Sequence, residues 1–232
     1  MNYNMKAEYL APTAILDSDH ATIEAKAKSL TVECGSDPVK KAVTLYYFVR
    51  DTIRYDPYYP FYLPEHYRAS TVLRVKRGYC VSKAALLCAL ARACKVPARI
   101  GLATVRNHLA TRQLIEHMGS DLFVCHGYTD LYLSGKWVKA TPAFNIELCR
   151  RFGVPALEFD GLDDSIFQNF NSQQIPFMEY LEYTGTYSDV PVETILKEWK
   201  KAYGKKRVNS WIALYEQTPE GRRPDFINED VI

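Results

Sequence analysis

The sequence predicts an α+β fold in which a mainly helical N-terminal half packs against an antiparallel β-sheet. Helices are indicated because residues 20–33 and 37–52 place apolar side chains at helical spacing, and a run rich in alanine and leucine begins at Cys80. The sheet is indicated by two alternating stretches on either side of Ser134 and Gly135, which have the pattern of a β-hairpin.

Both N-terminal helices are preceded by residues that can cap a helix. Ser18 or Asp19 can cap the first, because their short side chains carry oxygens that accept the free amide protons of a first turn. Asp37 stands before Pro38, a residue favoured at the first helical position, and the second helix is expected to end near Arg50 or Thr52. Both helices therefore have a predicted start as well as a predicted apolar face.

Between these helices and the hairpin, the pattern changes several times. Residues 55–67 are rich in tyrosine and proline, which predicts an irregular loop whose aromatic side chains either line a cleft or pack on the core. A strand is predicted at 99–105, and 107–121 is expected to be a loop or a broken helix. The aromatic loop and the strand thus flank the helix that begins at Cys80.

The C-terminal part carries fewer signals. Residues 191–203 are predicted as a helix that ends at Gly204, and 210–217 have the pattern of a strand before a polar tail. We expect one domain over residues 1–232, in which 146–232 complete or flank the part that the earlier elements form.

Charge and composition exclude several classes of protein. The formal charge is +2 and 24% of the residues are charged, which predicts neither a nucleic-acid-binding surface nor a disordered chain. No N-terminal signal peptide is recognised, and no apolar run approaches the ~20 residues that a membrane span needs. Six cysteines without a secretion signal favour reduced thiols, so we expect a cytoplasmic protein without nucleic-acid or membrane partners.

Neither a metal nor another cofactor is predicted. The chain has no C-x-x-C pair, which is a usual spacing of structural zinc sites. A metal site that used Cys80 and His126 would need further ligands, and the sequence offers none at a suitable spacing. The cysteines are therefore weighed as packing residues or as nucleophiles.

Three cysteines share the segment 75–101, and one of them stands at a helix start. Cys88 and Cys94 fall among the apolar positions of the predicted helix and are expected to pack as small side chains. Cys80 stands where the first amide groups and the helix dipole favour negative charge, so its pKa is expected to be lowered. Gly78 allows a substrate or another chain segment to approach closely. Cys80 is therefore the candidate nucleophile.

A cysteine nucleophile needs a base, which is usually a histidine. Of the five histidines, His126 alone lies inside a predicted strand, whereas the others lie at a helix start, in the aromatic loop or in a polar stretch. Packing is the alternative for Cys80, since cysteine is among the most buried residue types. His126 is the candidate base.

The register of the predicted hairpin places further polar residues beside His126. The turn is taken as two residues, so that Leu133 pairs with Lys136. In that register, Thr141 and Asn145 are the diagonal neighbours of the histidine on one face of the hairpin. Either side chain can hydrogen-bond the imidazole and orient it.

Asp130 lies on the same face of the hairpin but farther along the strand. At the usual strand rise it is about 13 Å from His126, which makes it a poor candidate for orienting the ring. It is expected to face Lys139 across the hairpin and to form an ion pair with it.

Two longer stretches resemble the transglutaminase-like superfamily, which is similar in fold to the papain-like cysteine proteases. They are GYCVSKAALLCALARACKVPARIG (residues 78–101) and CHGYTDLYLSGKWVKATPAF (residues 125–144), and the predicted helix at 37–52 matches the helix that usually lies upstream. The clear resemblance covers residues 35–145. It implies a papain-like cysteine proteinase fold, in which the catalytic helix packs on an antiparallel sheet.

On this resemblance, functional roles are carried over one residue at a time. Cys80 corresponds to the nucleophile, His126 to the base, and residues 96–99 to the Gly-Ile-Pro-Ala-Arg type of segment that enters a strand. The family's third residue, usually an aspartate before proline, falls on Thr141. A threonine hydroxyl can hydrogen-bond an imidazole but cannot stabilise imidazolium as a carboxylate does. Asn145 is the alternative, since cysteine, histidine and asparagine form a working catalytic set.

The resemblance implies acyl transfer through a thioester on Cys80. Either His126 takes the thiol proton or the two side chains rest as thiolate and imidazolium, and the Cys80 N–H is a donor for the oxyanion. The implied substrate is a peptide, a protein or a small amide, with water as the expected acceptor. The alternative is a binding or scaffolding module with impaired catalysis, which Thr141 favours.

Overall fold

A helical layer lies against an antiparallel sheet in this computed structural model, which describes residues 7–108, 110–167, 178–219 and 226–229. The helices are α1 (Ala21–Leu30), α2 (Pro38–Thr52), α3 (Ala69–Val75), α4 (Cys80–Ala93), α5 (Arg112–Met118), α6 (Ile146–Arg151), α7 (Val192–Tyr203) and α8 (Lys205–Gln217). The strands are β1 (Arg54–Tyr55), β2 (Arg77–Gly78), β3 (Ala98–Asn107), β4 (Leu122–Leu133), β5 (Lys136–Ala140) and β6 (Met178–Tyr187). This combination of helices and sheet confirms the predicted α+β class.

Helix α4 is the central element, because it contacts strands β3 and β4 on one side and helices α1, α2 and α3 on the other. Nearly all of its residues are buried, and its many alanines let neighbouring elements approach closely. Thr129 of β4 donates a hydrogen bond to the Ala84 carbonyl at 2.9 Å, which ties the strand to the helix. The prediction of a helix packed on the sheet is confirmed, and the first residue of that helix is Cys80.

The caps of the first two helices agree only partly with the prediction. Asp37 caps α2, since its Oδ1 accepts hydrogen bonds from two N–H groups of the first turn, at 2.9 and 3.2 Å. Helix α1 is capped by His20, one residue after Asp19 and two after Ser18, and the His20 Nδ1 accepts an N–H of the first turn. The prediction of Ser18 or Asp19 as the cap is therefore wrong, because an imidazole nitrogen takes the place of a side-chain oxygen.

Strands β4 and β5 form the predicted hairpin in the predicted register. Leu133 pairs with Lys136, and the pairing continues to Ala140, where β5 ends. Ser134 and Gly135 both have positive φ angles, of 48° and 90°, as a type I′ turn requires. The two-residue turn therefore sets the register, as the sequence indicates.

The full sheet has the order β5-β4-β3-β6, and each neighbouring pair of strands is antiparallel. Strand β3 extends beyond the predicted stretch at both ends. Strand β6 is not indicated by the sequence, because most of its side chains are exposed or half-buried and lack a clear apolar alternation. The edge strand β6 therefore lies in the C-terminal part of the chain, where the sequence gives few indications of secondary structure.

The predicted ion pair between Asp130 and Lys139 is wrong, although the two residues do lie opposite each other. Asp130 pairs instead with Arg99 of β3, at 3.1 Å, and Lys139 pairs with Asp164, also at 3.1 Å. A residue in an inner strand has a neighbour on each side, so the hairpin partner competes with β3. Register alone cannot decide that competition.

Three helices differ from the prediction. Helix α3 follows the aromatic loop, where the sequence pattern does not indicate one, and α5 forms where a loop or a broken helix is expected. Residues 210–217, expected as a strand, belong to α8, in which Val208 and Trp211 are buried at helical spacing. Short apolar runs fit both a helix and a strand, so tertiary packing decides between them.

The predicted helix at 191–203 is confirmed as α7, and Gly204 follows it with a φ of +88°. Helices α7 and α8 pack against each other, and α7 also packs on β4. A single domain over residues 1–232 stays a prediction. Within the described ranges, no helix combines the length and the apolar character that crossing a membrane requires.

The C-terminal end of α2 is braced by two buried polar side chains. The carbonyls of Arg50 and Ile53 accept hydrogen bonds from the Lys83 Nζ and from the Asn145 amide. The Asn145 Oδ1 also accepts the Tyr55 N–H at 2.7 Å. These bonds satisfy helix-end carbonyls that would otherwise lack partners, and they fix the start of the aromatic loop. Burial holds the pKa of Lys83 well below its usual value.

Replacing Asn145 by alanine is expected to lower the free energy of unfolding by about 2–4 kcal/mol, because it leaves the buried Tyr55 N–H without a partner and removes one of the two donors to the carbonyls of Arg50 and Ile53. Urea unfolding followed by circular dichroism measures the change. Asn209→Ala is the matched control, since this exposed asparagine on α8 should alter stability by less than about 0.5 kcal/mol. Equal stability of the two variants would contradict the bracing role.

Candidate active site

Cys80 is held at the first turn of α4 by the segment that precedes it. Strand β2 pairs in parallel with β1, and the Gly78 carbonyl accepts a hydrogen bond from the Asp56 N–H at 3.0 Å. A Cβ on Gly78 would lie 2.8 Å from the Cβ of Ser82, so glycine is needed for the chain to pass this close to the helix. Tyr79 then caps α4 in an extended conformation. The close approach that Gly78 permits is thus made by α4 itself.

Strand β4 crosses the start of α4 at Gly127. A Cβ at this position would lie 2.6 Å from the Val81 Cα, closer than real side chains approach a backbone. Glycine therefore permits the crossing, which brings the preceding residue, His126, to the first turn of the helix. The N–H groups of Gly127 and Val81 lie near enough to the Cys80 sulfur to favour its thiolate.

A bulge in β4 lies directly before the histidine. Ala103 of β3 pairs with His126 but Val105 pairs with Phe123, so two residues of β4 stand opposite one residue of β3. Cys125, within the bulge, has a φ of +60°, a left-handed conformation that is uncommon for cysteine. All four residues from Phe123 to His126 line one cavity, which strict strand alternation would not allow. The bulge therefore re-aims side chains next to the candidate nucleophile.

Cys80 and His126 both line a cavity of about 260 Å³. Tyr55 and residues 57–61 of the aromatic loop form one wall, and side chains of α5, α7 and α8 form the others. Both alternatives for the aromatic loop are found in the structure, since Tyr58 and Tyr59 line this cavity whereas Tyr67 is buried in the core. The walls from α7 and α8 come from the C-terminal part, to which the sequence assigned no role in the site.

Burial decides the protonation of the two candidate residues. It raises the pKa of the Cys80 thiol to about 11, and the N–H groups of Gly127 and of the first helical turn offset this only in part. The expected lowering of the Cys80 pKa is therefore wrong. The thiolate loses its hydration on burial, and this loss outweighs the stabilisation that the N–H groups of the helix start provide. Burial also lowers the pKa of His126 to about 4. At neutral pH a thiol and an imidazole, both uncharged, are the favoured forms.

Three buried polar atoms form a cluster that completes no hydrogen bond within the described part of the chain. They are the Nε2 of His126, the Oγ1 of Thr141 and the hydroxyl of Tyr180. The His126 and Tyr180 rings pack edge to face, with their centroids 6.1 Å apart. Burial raises the pKa of Tyr180, and the Thr141 hydroxyl lies near enough to oppose that rise. The structure thus brings Thr141 to this cluster, together with a tyrosine from β6.

Asn145, the second predicted neighbour of His126, makes its hydrogen bonds elsewhere. Its amide contacts the backbone at the end of α2 and at Tyr55. Strand β5 ends at Ala140, so the hairpin does not continue to the diagonal position expected for Asn145. A bracing role therefore replaces the predicted role in orienting the imidazole.

Several residues of the site carry no clear signal in the sequence. Tyr180 lies on the unpredicted strand β6, and His117 lies on α5, where it lines the cavity and stacks on Trp211 at a centroid distance of 4.9 Å. Burial lowers the pKa of His117 to about 4, and the positive charge of Arg207 adds to this effect. A helical reading of residues 205–217 would have indicated Trp211 as an inward-facing residue.

The remaining cysteines do not share the setting of Cys80. All six are free thiols, and Cys88 is buried in α4 as predicted, while Cys94 is half-buried at the end of that helix. Among the described residues, no group of three or more histidine, cysteine, aspartate or glutamate side chains is arranged to hold a metal ion. The chemistry that the geometry offers is that of a thiol and a neutral base in the wall of one cavity.

Two solved structures are similar to parts of this chain. No curated protein matches the sequence. A proposed cysteine protease from Cytophaga hutchinsonii is 15% identical with a TM-score of 0.45, over 81% of this chain and 55% of its own. A proposed protease from Parabacteroides distasonis is 19% identical with a TM-score of 0.40, over 59% of this chain and 26% of its own. This chain thus spans about half the length of the first and about a quarter of the second.

The family comparison covers the part of the chain that carries the candidate nucleophile and base. The model of the transglutaminase-like superfamily matches residues 25–142, about half of the chain. Cys80, His126 and Thr141 all lie within the match, whereas β6, α7 and α8 lie beyond it. The chain belongs to the transglutaminase-like superfamily.

Proposed function

We propose that this chain is a thiol-dependent acyl-transfer enzyme that hydrolyses an amide or peptide bond, with Cys80 as nucleophile and His126 as base. The observation that carries the proposal is that both side chains line one cavity, where β4 crosses the first turn of α4. A neutral imidazole beside a thiol can remove the thiol proton during attack on a carbonyl. Membership of the transglutaminase-like superfamily supports the same proposal.

Because both groups are uncharged at rest, the proton moves during the reaction. His126 takes the proton of the Cys80 thiol while the sulfur forms a bond to the carbonyl carbon. The amide C–N bond then breaks, and the leaving amine takes the proton from the imidazolium. Water attacks the thioester and gives a proton to His126, and this proton returns to the sulfur as the carboxylic acid leaves. We assign the Cys80 N–H as one donor to the oxyanion.

Thr141 and Tyr180 are proposed to orient His126. Tyr180 packs edge to face on His126, the Thr141 hydroxyl lies close to that of Tyr180, and the polar atoms of all three side chains are buried without a completed hydrogen bond among the described residues. If the Nε2–H donates to this cluster, the neutral tautomer leaves Nδ1 without a proton, and Nδ1 is then the base for Cys80. This is the orienting role that a carboxylate or an amide has in related catalytic sets.

The proposed substrate is a peptide, a protein or a small amide, and water is the proposed acceptor. An amine acceptor such as a lysine side chain arrives as a cation and is attracted by a carboxylate. No aspartate or glutamate is among the described residues that line the cavity. Hydrolysis is therefore better supported than transfer to an amine.

A binding or scaffolding module is the second candidate. Two observations favour it: Thr141 stands where the family usually has a carboxylate, and burial raises the pKa of the Cys80 thiol to about 11. A module of this kind would keep the cavity but would not acylate Cys80. Reaction with an activated ester separates the two candidates.

Incubation with p-nitrophenyl acetate is expected to release nitrophenolate and to place one acetyl group on Cys80, because the thiol attacks the ester carbonyl. Peptide mass spectrometry locates the group. Cys80→Ala should abolish the labelling, and Cys88→Ala, a buried thiol of the same helix, should retain it. Labelling of other cysteines at the same rate, or its persistence in Cys80→Ala, would move the binding module to first place.

The rate of acylation is expected to stay constant as the pH falls from 7 and to drop only near pH 4. Burial disfavours imidazolium and lowers the pKa of His126 to about 4, so the base remains unprotonated down to that pH. The measurement is kcat/KM for p-nitrophenyl acetate against pH, with circular dichroism at each pH to check folding. A decline centred near about 6.5, the ordinary histidine pKa, would contradict a desolvated base.

Tyr180→Phe and Thr141→Val are each expected to lower kcat by about tenfold or more, because the imidazole loses a partner that orients it. Both should also move the acid decline of the pH profile to lower pH, since a hydroxyl acceptor stabilises imidazolium. Tyr183→Phe is the matched control, a half-exposed tyrosine whose ring stacks on that of Tyr180. Lower stability without any change in the pH profile would indicate packing alone.

A further inference from the structure

We propose that the cavity beside Cys80 binds an uncharged apolar group on the acyl side of the substrate, of the size of a phenyl ring or a short alkyl chain. This inference rests on the proposed function, since it names the substrate class of the same site. It also assigns a role to α7 and α8, which lie beyond the residues that the family model matches.

The cavity is large enough for such a group. Its volume is about 260 Å³, and an apolar cavity of about 150 Å³ already binds benzene. Cys80 and His126 lie in its wall, so the remaining volume is within reach of a substituent on the carbonyl that Cys80 attacks. A ring or a short chain can enter the cavity while the carbonyl stays at the sulfur.

The described residues that line the cavity carry no full charge at neutral pH. They include no aspartate, glutamate, lysine or arginine. Two histidines are present, His117 and His126, and burial holds both of their pKa values at about 4, so both rings are uncharged. A charged substituent would lose its hydration on entry without gaining an ion pair. The cavity therefore selects against charged groups.

The polar atoms of α7 that face the cavity are already bonded to β4. The Trp199 indole N–H donates to the Val124 carbonyl at 2.8 Å. The Tyr203 hydroxyl accepts the Val124 N–H at 2.8 Å and donates to the Leu122 carbonyl at 2.9 Å. These bonds anchor α7 on the strand that carries His126, and they leave ring carbons for contact with a ligand.

Two other aromatic side chains of the cavity wall also have hydrogen-bonded polar atoms. The Trp211 indole N–H of α8 donates to the His117 carbonyl at 3.2 Å, and the Tyr58 hydroxyl of the aromatic loop donates to Glu229 at 2.6 Å. The walls therefore offer mainly ring faces, which bind a ligand through burial of apolar surface, worth about 25 cal/mol per Å². An apolar group on the substrate is the chemistry that complements them.

A series of p-nitrophenyl esters tests the inference with a constant leaving group. Acetate, butyrate, hexanoate and 3-phenylpropionate vary the acyl group, and each rate is divided by that of a small thiol to remove intrinsic reactivity. We expect kcat/KM to rise about threefold to fourfold for each CH₂ that enters the cavity. Mono-p-nitrophenyl adipate, which carries a carboxylate, should react at least about tenfold more slowly than p-nitrophenyl heptanoate, an uncharged ester of similar length. Equal rates across the series would overturn the inference.

A pair of variants ties the preference to the cavity. Leu214→Trp adds volume on a wall of α8 and should flatten the dependence on chain length. Leu162→Trp is the matched control, because Leu162 has a similar exposure, 51% against 48%, and does not line the cavity. The control variant should show the same dependence of kcat/KM on acyl chain length as the wild-type protein. If kcat/KM depends on acyl chain length in the same way in both variants and in the wild type, the apolar group binds outside this cavity.

Failure of the inference and failure of the proposed function give different results. If no ester acylates Cys80, the proposed function fails. If all esters acylate Cys80 at the same rate, the function stands and the apolar site is refuted. Binding of 3-phenylpropionamide to the Cys80→Ala chain, followed by the fluorescence of Trp199 and Trp211, tests the cavity without chemistry. Saturable binding that acetamide and succinamate do not reproduce is expected, and equal weak binding of all three would contradict an apolar site.

Discussion

The close approach of strand β4 to the first turn of helix α4 is the constraint on which the candidate site depends. At Gly127 the two backbones come so near that any side chain would overlap Val81. The helix cannot move away, because it is buried between the sheet and three other helices. Cys80 and His126 are therefore supplied by a helix and a strand in direct contact, which holds their backbones more rigidly than loops would.

The burial that fixes these two residues also removes their charge. The thiolate of Cys80 and the imidazolium of His126 are both disfavoured, because neither charge keeps its hydration in the wall of an apolar cavity. A carboxylate beside His126 would stabilise imidazolium and raise its pKa, whereas the hydroxyls of Thr141 and Tyr180 leave the neutral ring favoured. The threonine at the family's usual aspartate position therefore fits a site that is neutral at rest.

The part of the chain beyond the family match completes the candidate site. Strand β6 contributes Tyr180, and α7 and α8 contribute aromatic walls whose polar atoms bond to β4 and α5. The loop at residues 55–61 closes another side, and Asn145 holds the start of that loop to the end of α2. The proposed nucleophile and base thus belong to the matched region, while much of the proposed selectivity for the acyl group belongs to the C-terminal region.

The sequence by itself determined the features that depend on short-range geometry. A glycine-containing two-residue turn sets the hairpin register, a helix start marks Cys80, and the one histidine within a predicted strand is His126. These follow from local backbone preferences, which neighbouring residues dictate. The family resemblance and the α+β class could be recognised for the same reason, since they rest on contiguous segments.

Only the tertiary structure decided what depends on contacts between distant segments. Burial reversed the expected direction of the Cys80 pKa, since desolvation is set by every element packed around the thiol. Asn145 bonds to the end of α2 and not to the histidine as expected. Tyr180 belongs to the site although its strand lacks an apolar pattern in the sequence. Residues 210–217 became part of a helix because Trp211 packs in the cavity wall. The spacing of residues along the sequence does not predict these outcomes. Each depends on a competition between partners that only the folded chain brings together.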